Sequence, residues 1–555
     1  MHYVLICDIM EYITKEDSIM AFKKNEYEQI TLYDSFLFGL TDRERKVLEK
    51  SWAKIFADEI FPAIDEERFS VLYSENGATR PNTPVNVIVG ALIIKELFDY
   101  SDDEIVENLM LDLHLQYALH TTGYQEQPLS DKSLSRFRKR CYEYENTHGV
   151  DLYRNCVKGL SGSIAKIMGI NDRVRRMDSM MIESNIRFLS RMELIYTCIS
   201  KLAIYISKSH PELLEKHKCL LPYTDPNDYN KVFYHQRSSS MEDKIKNLLE
   251  DSDTLLGICG TSFKDVLQYQ LFARCLSEQT VVEDGARRMR KKEDGGLDSS
   301  VLQNPADPDA TYRVKAGKTC RGYAANVTES VGSAGSAVTD YQYEQSIYSD
   351  SQFLKDSLKE TDVQEERSVL VTDGGYSGGD NTALAAEKNI QLVTTALTGK
   401  DAPDVLADFE YNADGTKVIK CAAGHAPKSC SYTKRTKQCH VSFRLEQCRD
   451  CPYKSQCNPK LKKTVATFTT SQNASNRAKA QRFMQTDEFG CYAKIRNGVE
   501  TVPANLRQNY HLEKLPRGKQ QGKFFFGSKI AALNFRKLFN FRKGTGNYAQ
   551  NTVLT

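Results

Sequence analysis

The hydrophobic pattern of residues 1–150 is typical of helices. Thr41 and Glu44 have the spacing of a capping box before an apolar periodic run. Residues 83–119 carry the pattern of two packed helices, and Ser101 is a suitable cap for the second. A further helix is rich in basic residues, among them Arg136, Arg138 and Lys139. This pattern predicts an all-α N-terminal domain with a helix-turn-helix-like DNA-binding unit; a basic solvated helix face is the alternative.

The pattern changes in the middle of the chain. Residues 174–186 form an apolar, strand-like segment that Asp178 interrupts, and residues 187–280 return to helical spacing. After a polar, glycine-containing linker, the order from residue 311 is strand, strand, helix, strand, helix, strand. This order predicts an α/β region in which a mixed sheet is flanked by helices.

Two aspartates occupy unusual places in these strands. Residues 369–371 have the pattern of a buried strand, and Asp373 follows, directly before Gly374 and Gly375. Most Asp-Gly pairs are turns in which the aspartate bonds its own backbone. Asp178, however, lies within an apolar strand, where a carboxylate is costly unless it is paired or binds a cation. Two such strands in one sheet could bring both carboxylates together, and a divalent cation would relieve their repulsion.

A third carboxylate would complete a two-metal site. Glu500 is the preferred candidate because Arg496 lies four residues before it on the same helical face; Glu488 and Glu513 rank lower. Two hard cations held in this way can activate a water or a 3′ hydroxyl and stabilise the leaving oxygen of a phosphodiester.

Composition and charge narrow the class of protein. The chain has 555 residues, 40% hydrophobic and 27% charged, and no run approaches 18 apolar residues, so several domains and no membrane span are expected. The first 20 residues lack a basic n-region, so a secretory signal is not expected. The net charge is only +2, yet residues 411–555 contain 27 Lys and Arg against 7 Asp and Glu. This asymmetry indicates a polyanionic partner, most simply nucleic acid; a solvated basic surface is the alternative.

Six of the 15 cysteines fall within 37 residues. Cys448, Cys451 and Cys457 have the C-x2-C-x5-C spacing, and a C-x2-C pair is frequent in zinc sites. Cys421 is the preferred fourth ligand, with His425, Cys430, Cys439 and His440 as alternatives. Without a secretion signal, clustered cysteines favour a metal over disulfides. We therefore expect one structural Zn²⁺, and free thiols in a loop are the alternative.

Several stretches together resemble bacterial insertion-sequence transposases of the DDE class. These are RRMDSMMIESNIRFLSR, DPDATYRVKAGKTCRGYAANVTES, VLVTDGGYSG and RNGVETVPANLR followed by GKFFFGSKIAALNFRKLF. The stretch RPNTPVNVIVGALIIKELFDYSDDEIVENL resembles the N-terminal domain that many of these transposases carry. The resemblance spans roughly residues 60–545, and it is specific through the order and spacing of the motifs rather than through any one of them.

The resemblance implies an RNase H-like catalytic domain in residues 165–397 and 486–545. Residues 187–300 would be a helical insertion with a linker, and residues 398–485 a basic, zinc-ribbon-like insertion. It also implies that the carboxylates of the triad bind two Mg²⁺ or Mn²⁺ ions, with the triad formed by Asp178, Asp373 and Glu500.

The sequence departs from the family signature Tyr-x2-Arg-x3-Glu-x6-Lys. Arg496 and Glu500 fit, but Tyr492 is one residue too far from Arg496, and Arg507 stands at the lysine position. Arginine keeps the charge but presents it as a planar fork. Pro503 should also kink or restart the helix after Glu500. These departures concern the DNA contacts that the resemblance implies for Arg496 and Arg507 and any hairpin intermediate, and they leave the three carboxylates unchanged.

The resemblance implies a transposase that binds the terminal inverted repeats of a mobile element as a homodimer and cleaves and transfers double-stranded DNA. The N-terminal helices and the basic C-terminal segments would grip that DNA. A bacterial cytoplasmic, nucleoid-associated protein is expected. Two alternatives are a catalytically inactive, zinc-dependent DNA-binding protein and an RNase H-like nuclease without strand transfer. The sequence gives neither the repeat nor the target.

Overall fold

The computed structural model is that of a mixed α/β protein with a helical N-terminal part. The described residues are 21–25, 39–74, 81–124, 126–130, 132–235, 241–260, 262–315, 317–397 and 399–545. The first 20 residues, for which no secretory signal is expected, lie outside this set. Among the described helices, none is long and apolar enough to cross a membrane.

The N-terminal part consists mainly of helices. The longer ones are α1 (Asp42–Glu49), α2 (Val85–Phe98), α3 (Asp102–Leu111), α4 (Ser133–His148) and α5 (Leu152–Ile167). The predicted capping box of Thr41 and Glu44 is present, and Ser101 caps α3 as predicted. α2 is buried on all sides, so it is the central helix of this part of the chain.

The first strand is followed by a helical insertion. β1 (Val174–Glu183) leads into α6 (Arg191–Ser209), α7 (Met241–Cys259) and α8 (Leu267–Gln279). These helices bury a hydrophobic core of their own, around residues such as Leu202, Leu255 and Phe272. The insertion is therefore a separately packed unit between β1 and the rest of the sheet.

The segment after α8, which the sequence predicts to be a linker, contains a two-stranded hairpin. Its strands are Thr280–Glu283 and Ala286–Met289. The turn residues Asp284 and Gly285 both have positive φ, at 51° and 79°, which suits a two-residue hairpin turn. The linker interpretation was wrong here because it overlooked this Asp-Gly signal.

The six-stranded mixed sheet combines β1 with strands from beyond the insertion. These are β2 (Thr311–Lys315), β3 (Lys318–Gly332), β4 (Gly335–Gln345), β5 (Ser368–Thr372) and β6 (Ile390–Thr394). The order across the sheet is β3, β1, β5, β6, and both β2 and β4 pair with β3. β1 is antiparallel to β3 and parallel to β5, and β5 is parallel to β6. α9 (Asp350–Glu360) and α10 (Gly379–Glu387) belong to the core on one face.

A smaller module follows β6. Its main sheet has four strands, β7 (Ser429–Thr433), β8 (Gln438–Arg444), β9 (Lys460–Leu461) and β10 (Val465–Thr470), in the order β7, β8, β10, β9. A two-stranded sheet of Glu410–Tyr411 and Val418–Lys420 precedes it. Helix α11 (Gln472–Phe483) packs against a short helical turn at Asp404–Asp408. The module has its own small core, which includes Phe443 and Val418.

The chain returns to the sheet through α12 (Asp487–Asn497), α13 (Thr501–Asn509) and α14 (Lys519–Arg542). Tyr492 and Ile495 of α12 pack on the sheet face opposite α9 and α10. The sequence predicts one helix through Glu500, but a turn at Gly498–Glu500 separates α12 from α13. The helix thus restarts before Pro503, which lies in the first turn of α13, where a proline is tolerated.

Helix α14 does not form the basic DNA-gripping surface that the sequence predicts. It packs against α2, α5 and β4, and most of its middle is buried. Five of its six Lys and Arg residues form ion pairs with acidic residues of earlier elements, namely Lys519 with Glu344, Lys523 with Asp151, Lys529 with Glu96, Lys537 with Glu329 and Arg542 with Glu59. Part of the charge asymmetry is therefore neutralised within the molecule.

Candidate active site

The sheet register brings Asp178 and Asp373 together. β1 and β5 pair in parallel with Arg176 beside Val371. Continuing this register by two residues sets Asp178 beside Asp373, the residue directly after β5. The two aspartates that the sequence predicts as metal ligands therefore lie side by side, Asp178 on β1 and Asp373 just past the end of β5.

Arg496 connects both aspartates to Glu500. Its Nη1 lies 2.5 Å from Glu500 Oε1, and its Nη2 lies 3.5 Å from Asp178 Oδ2 and 3.9 Å from Asp373 Oδ2. The Arg496 side chain is only 15% exposed. Its guanidinium is therefore a counter-charge that the three carboxylates share. The sequence predicted a DNA contact for Arg496 and did not predict this ion-pair role.

Opposing effects act on the Asp178 carboxyl. Burial raises its pKa and nearby Asp373 adds to this, whereas the charge of Arg496 and the N–H of Ser179 lower it. The net result is a raised pKa. A buried carboxyl that Arg496 neutralises only in part would gain from a further cation.

The carboxylates open into a cleft of about 670 Å³. Its wall also contains Lys315 and Lys318, at the two sides of the β2–β3 turn, and Arg507 of α13. Glu513 lines the cleft as well, whereas Glu488 lies in the first turn of α12, at the far end of that helix from Arg496. The cleft thus combines acidic residues at its base with basic residues suited to phosphates.

Asp350 is a fourth carboxylate near the cleft, in addition to the three that the sequence predicts. Its Oδ1 accepts a hydrogen bond from the Ser179 hydroxyl at 2.7 Å, and Lys315 Nζ lies 3.8 Å from its Oδ2. A Cβ at Gly375 would lie 2.8 Å from Asp350 Oδ2 and 3.1 Å from Asp373 Oδ1, so a side chain there would displace one of these carboxylates. Asp350 begins α9 after a serine cap, and nothing in its local sequence distinguishes it from an ordinary first-turn acid.

The four cysteines predicted to bind zinc line one small cavity of about 30 Å³, beside Phe409, Phe443 and His425. They are Cys421, Cys448, Cys451 and Cys457. Burial and, after it, the charges of Cys451, Cys421 and Cys448 together raise the pKa of Cys457 to about 11, so these thiols are close neighbours. Four such thiols are a donor set that suits zinc.

The alternative zinc ligands separate into two groups. His425 lines the same cavity, and its carbonyl accepts the Cys421 N–H at 3.0 Å. Cys430, Cys439 and His440 lie on β7 and β8, and none of them lines that cavity.

Within the described part of the chain, no three His, Cys, Asp or Glu side chains are arranged to hold a metal ion. In the acidic cleft, the guanidinium of Arg496 lies between the carboxylates instead.

The basic helix α4 contains residues of two kinds. Arg136 and Lys139 are exposed. Arg138 is buried, forms an ion pair with Asp102 and lies 5.0 Å from the ring centre of Phe525. The predicted DNA contact by Arg138 is not supported by this geometry, because its charge is already used inside the fold.

Exposed positive charge is concentrated in the cysteine-rich module. Residues 417–463 contain twelve Lys and Arg, all exposed, against only Glu446 and Asp450. Two of the twelve, Lys420 and Lys437, form ion pairs with described residues. The basic surface that the composition predicts is therefore located here rather than on α14.

Comparison with known families supports a DDE-type transposase. Residues 420–539 match the family model described as a transposase DDE domain, and residues 43–140 match a transposase domain of the DUF772 type. The first match includes the six clustered cysteines and Glu500 and begins after Asp178 and Asp373. DDE transposase domains belong to enzymes of DNA transposition and generally use divalent metals.

No curated protein matches the chain. Among solved structures, the chain is similar to a piggyBac transposase in a synaptic complex with hairpin DNA. The identity is 9% and the TM-score 0.30, and the match covers 91% of this chain and 77% of that one.

Proposed function

We propose that this protein is a DDE transposase that binds the terminal inverted repeats of a bacterial insertion sequence and catalyses DNA cleavage and strand transfer. The observation that carries the proposal is the convergence of Asp178, Asp373 and Glu500 on Arg496 in one cleft. The strand order β4, β3, β1, β5, β6, with the aspartates on β1 and after β5, supports an RNase H-like catalytic domain.

The three carboxylates would hold two Mg²⁺ or Mn²⁺ ions, which activate the attacking oxygen and stabilise the leaving oxygen of a phosphodiester. The remaining tasks fall to the side chains of the cleft. Lys315, Lys318 and Arg507 would bind phosphates on either side of the scissile bond. Arg496 would keep the carboxylates paired before DNA and cations arrive.

Two further surfaces would bind DNA outside the cleft. One is the exposed side of α4, with Arg136 and Lys139. The other is the basic module of residues 417–463, whose structural Zn²⁺ would be held by Cys421, Cys448, Cys451 and Cys457. A homodimer would join the two ends of the element in one complex.

DNA binding by the full chain should depend steeply on salt. Because each neutralised phosphate releases counterions, affinity should fall by on the order of a thousandfold between about 50 and 200 mM salt. Changing both Lys462 and Lys463 to Gln should reduce the slope of log affinity against log salt by about 2. Fluorescence anisotropy with a labelled duplex measures both quantities.

The matched control is the double variant Lys208→Gln with Lys246→Gln, which makes the same change in net charge in the helical insertion. Its slope of log affinity against log salt should equal that of the wild type. An affinity that does not respond to salt would contradict the proposed interface. Equal slopes for the two double variants would show that the DNA-binding surface does not include Lys462 and Lys463 of the module.

Strand transfer separates the proposed function from a simple nuclease. The assay supplies pre-cleaved ends with free 3′ hydroxyls, a target plasmid and Mg²⁺. Joined products are expected, whereas cleavage of uncut ends without joining would favour an RNase H-like nuclease. Specific binding without either reaction would favour an inactive DNA-binding descendant. Inverted repeats flanking the gene would support the insertion-sequence origin.

A further inference from the structure

A buried chain of ion pairs lies beside the acidic cleft. It starts at Arg176, two residues before Asp178 and therefore on the same face of β1. Arg176 Nε donates to Glu329 Oε2 at 2.7 Å, and Glu329 Oε1 accepts from Lys537 Nζ at 2.6 Å and from the Ser336 hydroxyl at 2.8 Å. The chain thus joins β1, β3 and α14.

The centre of this ion-pair chain is fully buried. Glu329 has 0% exposed surface. Burial opposes its ionisation, but the charges of Lys537 and Arg176 outweigh that effect and lower its pKa to about 2. Buried ion pairs are weak contributors to stability compared with apolar residues of similar volume, so a role in geometry is the better explanation for this one.

Arg176 also reaches the end of the helix that leads to Glu500. Its Nη1 donates to the carbonyl of Ile495 at 2.7 Å, directly before Arg496. The Ile495 carbonyl also accepts the backbone N–H of Gly498, so the guanidinium is a second donor to it, and a positive charge at the end of α12 suits the helix dipole. The following Gly498 is in close contact with Arg176, since a Cβ there would lie 2.0 Å from Nη1.

We propose that Arg176, held in place by Glu329 and Lys537, is a positioning residue that fixes Glu500 and Arg496 opposite Asp178. The same side chain is anchored in β1 and in the end of α12, so it sets the distance between the two elements. Displacements of about 1 Å at a reacting centre can cost a hundredfold in rate. The inference rests on the proposed metal-dependent function of the cleft.

Gly498→Ala tests this role without removing a charge. The backbone φ at Gly498 is −65°, so alanine is tolerated, but its methyl group must push the guanidinium away from Ile495. Gly490→Ala is the matched control, because Gly490 lies in α12, which ends beside Gly498, and its Cβ would meet nothing within 4 Å. Two quantities are measured on the full chain without DNA: amide hydrogen exchange across residues 493–500, and Mn²⁺ affinity by electron paramagnetic resonance.

We expect faster exchange at 493–500 and about tenfold weaker Mn²⁺ binding in Gly498→Ala, and wild-type values in Gly490→Ala. Glu329→Gln, which leaves Arg176 without its carboxylate, should change both quantities in the same direction. Equal exchange and equal Mn²⁺ affinity in both alanine variants would overturn the positioning role. If the wild type binds no Mn²⁺, the metal-dependent function fails, and exchange alone then decides whether Arg176 fixes the helix end.

Discussion

Asp178→Asn and Asp373→Asn should each reduce DNA cleavage by on the order of a thousandfold or more while leaving DNA binding nearly intact. Each substitution removes a charged metal ligand at almost constant shape. Neither aspartate belongs to the exposed basic surfaces that would hold the DNA. Cleavage of a labelled terminal repeat and anisotropy with the same duplex are the two measurements.

The Asp178 variant carries an additional expectation about stability. Because the folded-state pKa of Asp178 is raised, mainly by burial, its ionised form destabilises the fold above its unfolded pKa. Removing that charge should therefore raise the melting temperature of the metal-free protein near pH 7, and the gain should shrink as the pH falls and the wild-type aspartate becomes protonated. An inactive variant that is also more stable would identify Asp178 as a residue retained for function rather than for folding.

Asp251→Asn is a suitable control. Burial also raises the pKa of Asp251, which lies in the helical insertion and accepts a hydrogen bond from Tyr223. This variant should retain wild-type cleavage. If Asp178→Asn or Asp373→Asn cleaves DNA at a near wild-type rate, the assignment of the acidic cleft as the metal site is wrong.

Protein purified without chelator should contain about one zinc per chain, and Cys451→Ser should lose it. Serine is a poor zinc ligand. The cysteine-rich module has only a small hydrophobic core, so the module has little stability without its zinc. Loss of zinc should loosen residues 420–460 and weaken DNA binding, while Mn²⁺ binding in the acidic cleft stays unchanged. Elemental analysis, hydrogen exchange and anisotropy measure the three effects.

Variants of other cysteines test which residues form the site. Cys430→Ser should keep its zinc, because Cys430 does not line the cavity shared by the four proposed ligands. If Cys421→Ser retains its zinc, the zinc site is still supported, but His425, the other candidate at that cavity, becomes the favoured fourth ligand. Less than roughly 0.2 zinc per chain in folded, active protein would reject the site.

The sequence alone determined the features that depend on neighbours along the chain. The spacing of Thr41 and Glu44 predicted a capping box, and the apolar run around Asp178 predicted β1. The order helix, strand, helix, strand from α9 to β6 was also correct, although three strands, β2, β3 and β4, precede α9 where the sequence predicted two. Each of these features is decided within a few residues by periodicity, cap chemistry or turn chemistry.

Only the tertiary structure decided which groups face each other. The sequence does not distinguish a lysine of α14 from a lysine of the basic module of residues 417–463. In the structure, Lys529 of α14 pairs with the buried Glu96, whereas Lys463 of the module is exposed. The sequence predicts a DNA contact for Arg138, but the structure pairs this residue with Asp102. Asp350 has the sequence of an ordinary first-turn residue of a helix, but the fold places it near Asp373. Partners of this kind come from elements distant in the chain, and the periodicity of one segment contains no information about which segment packs against it.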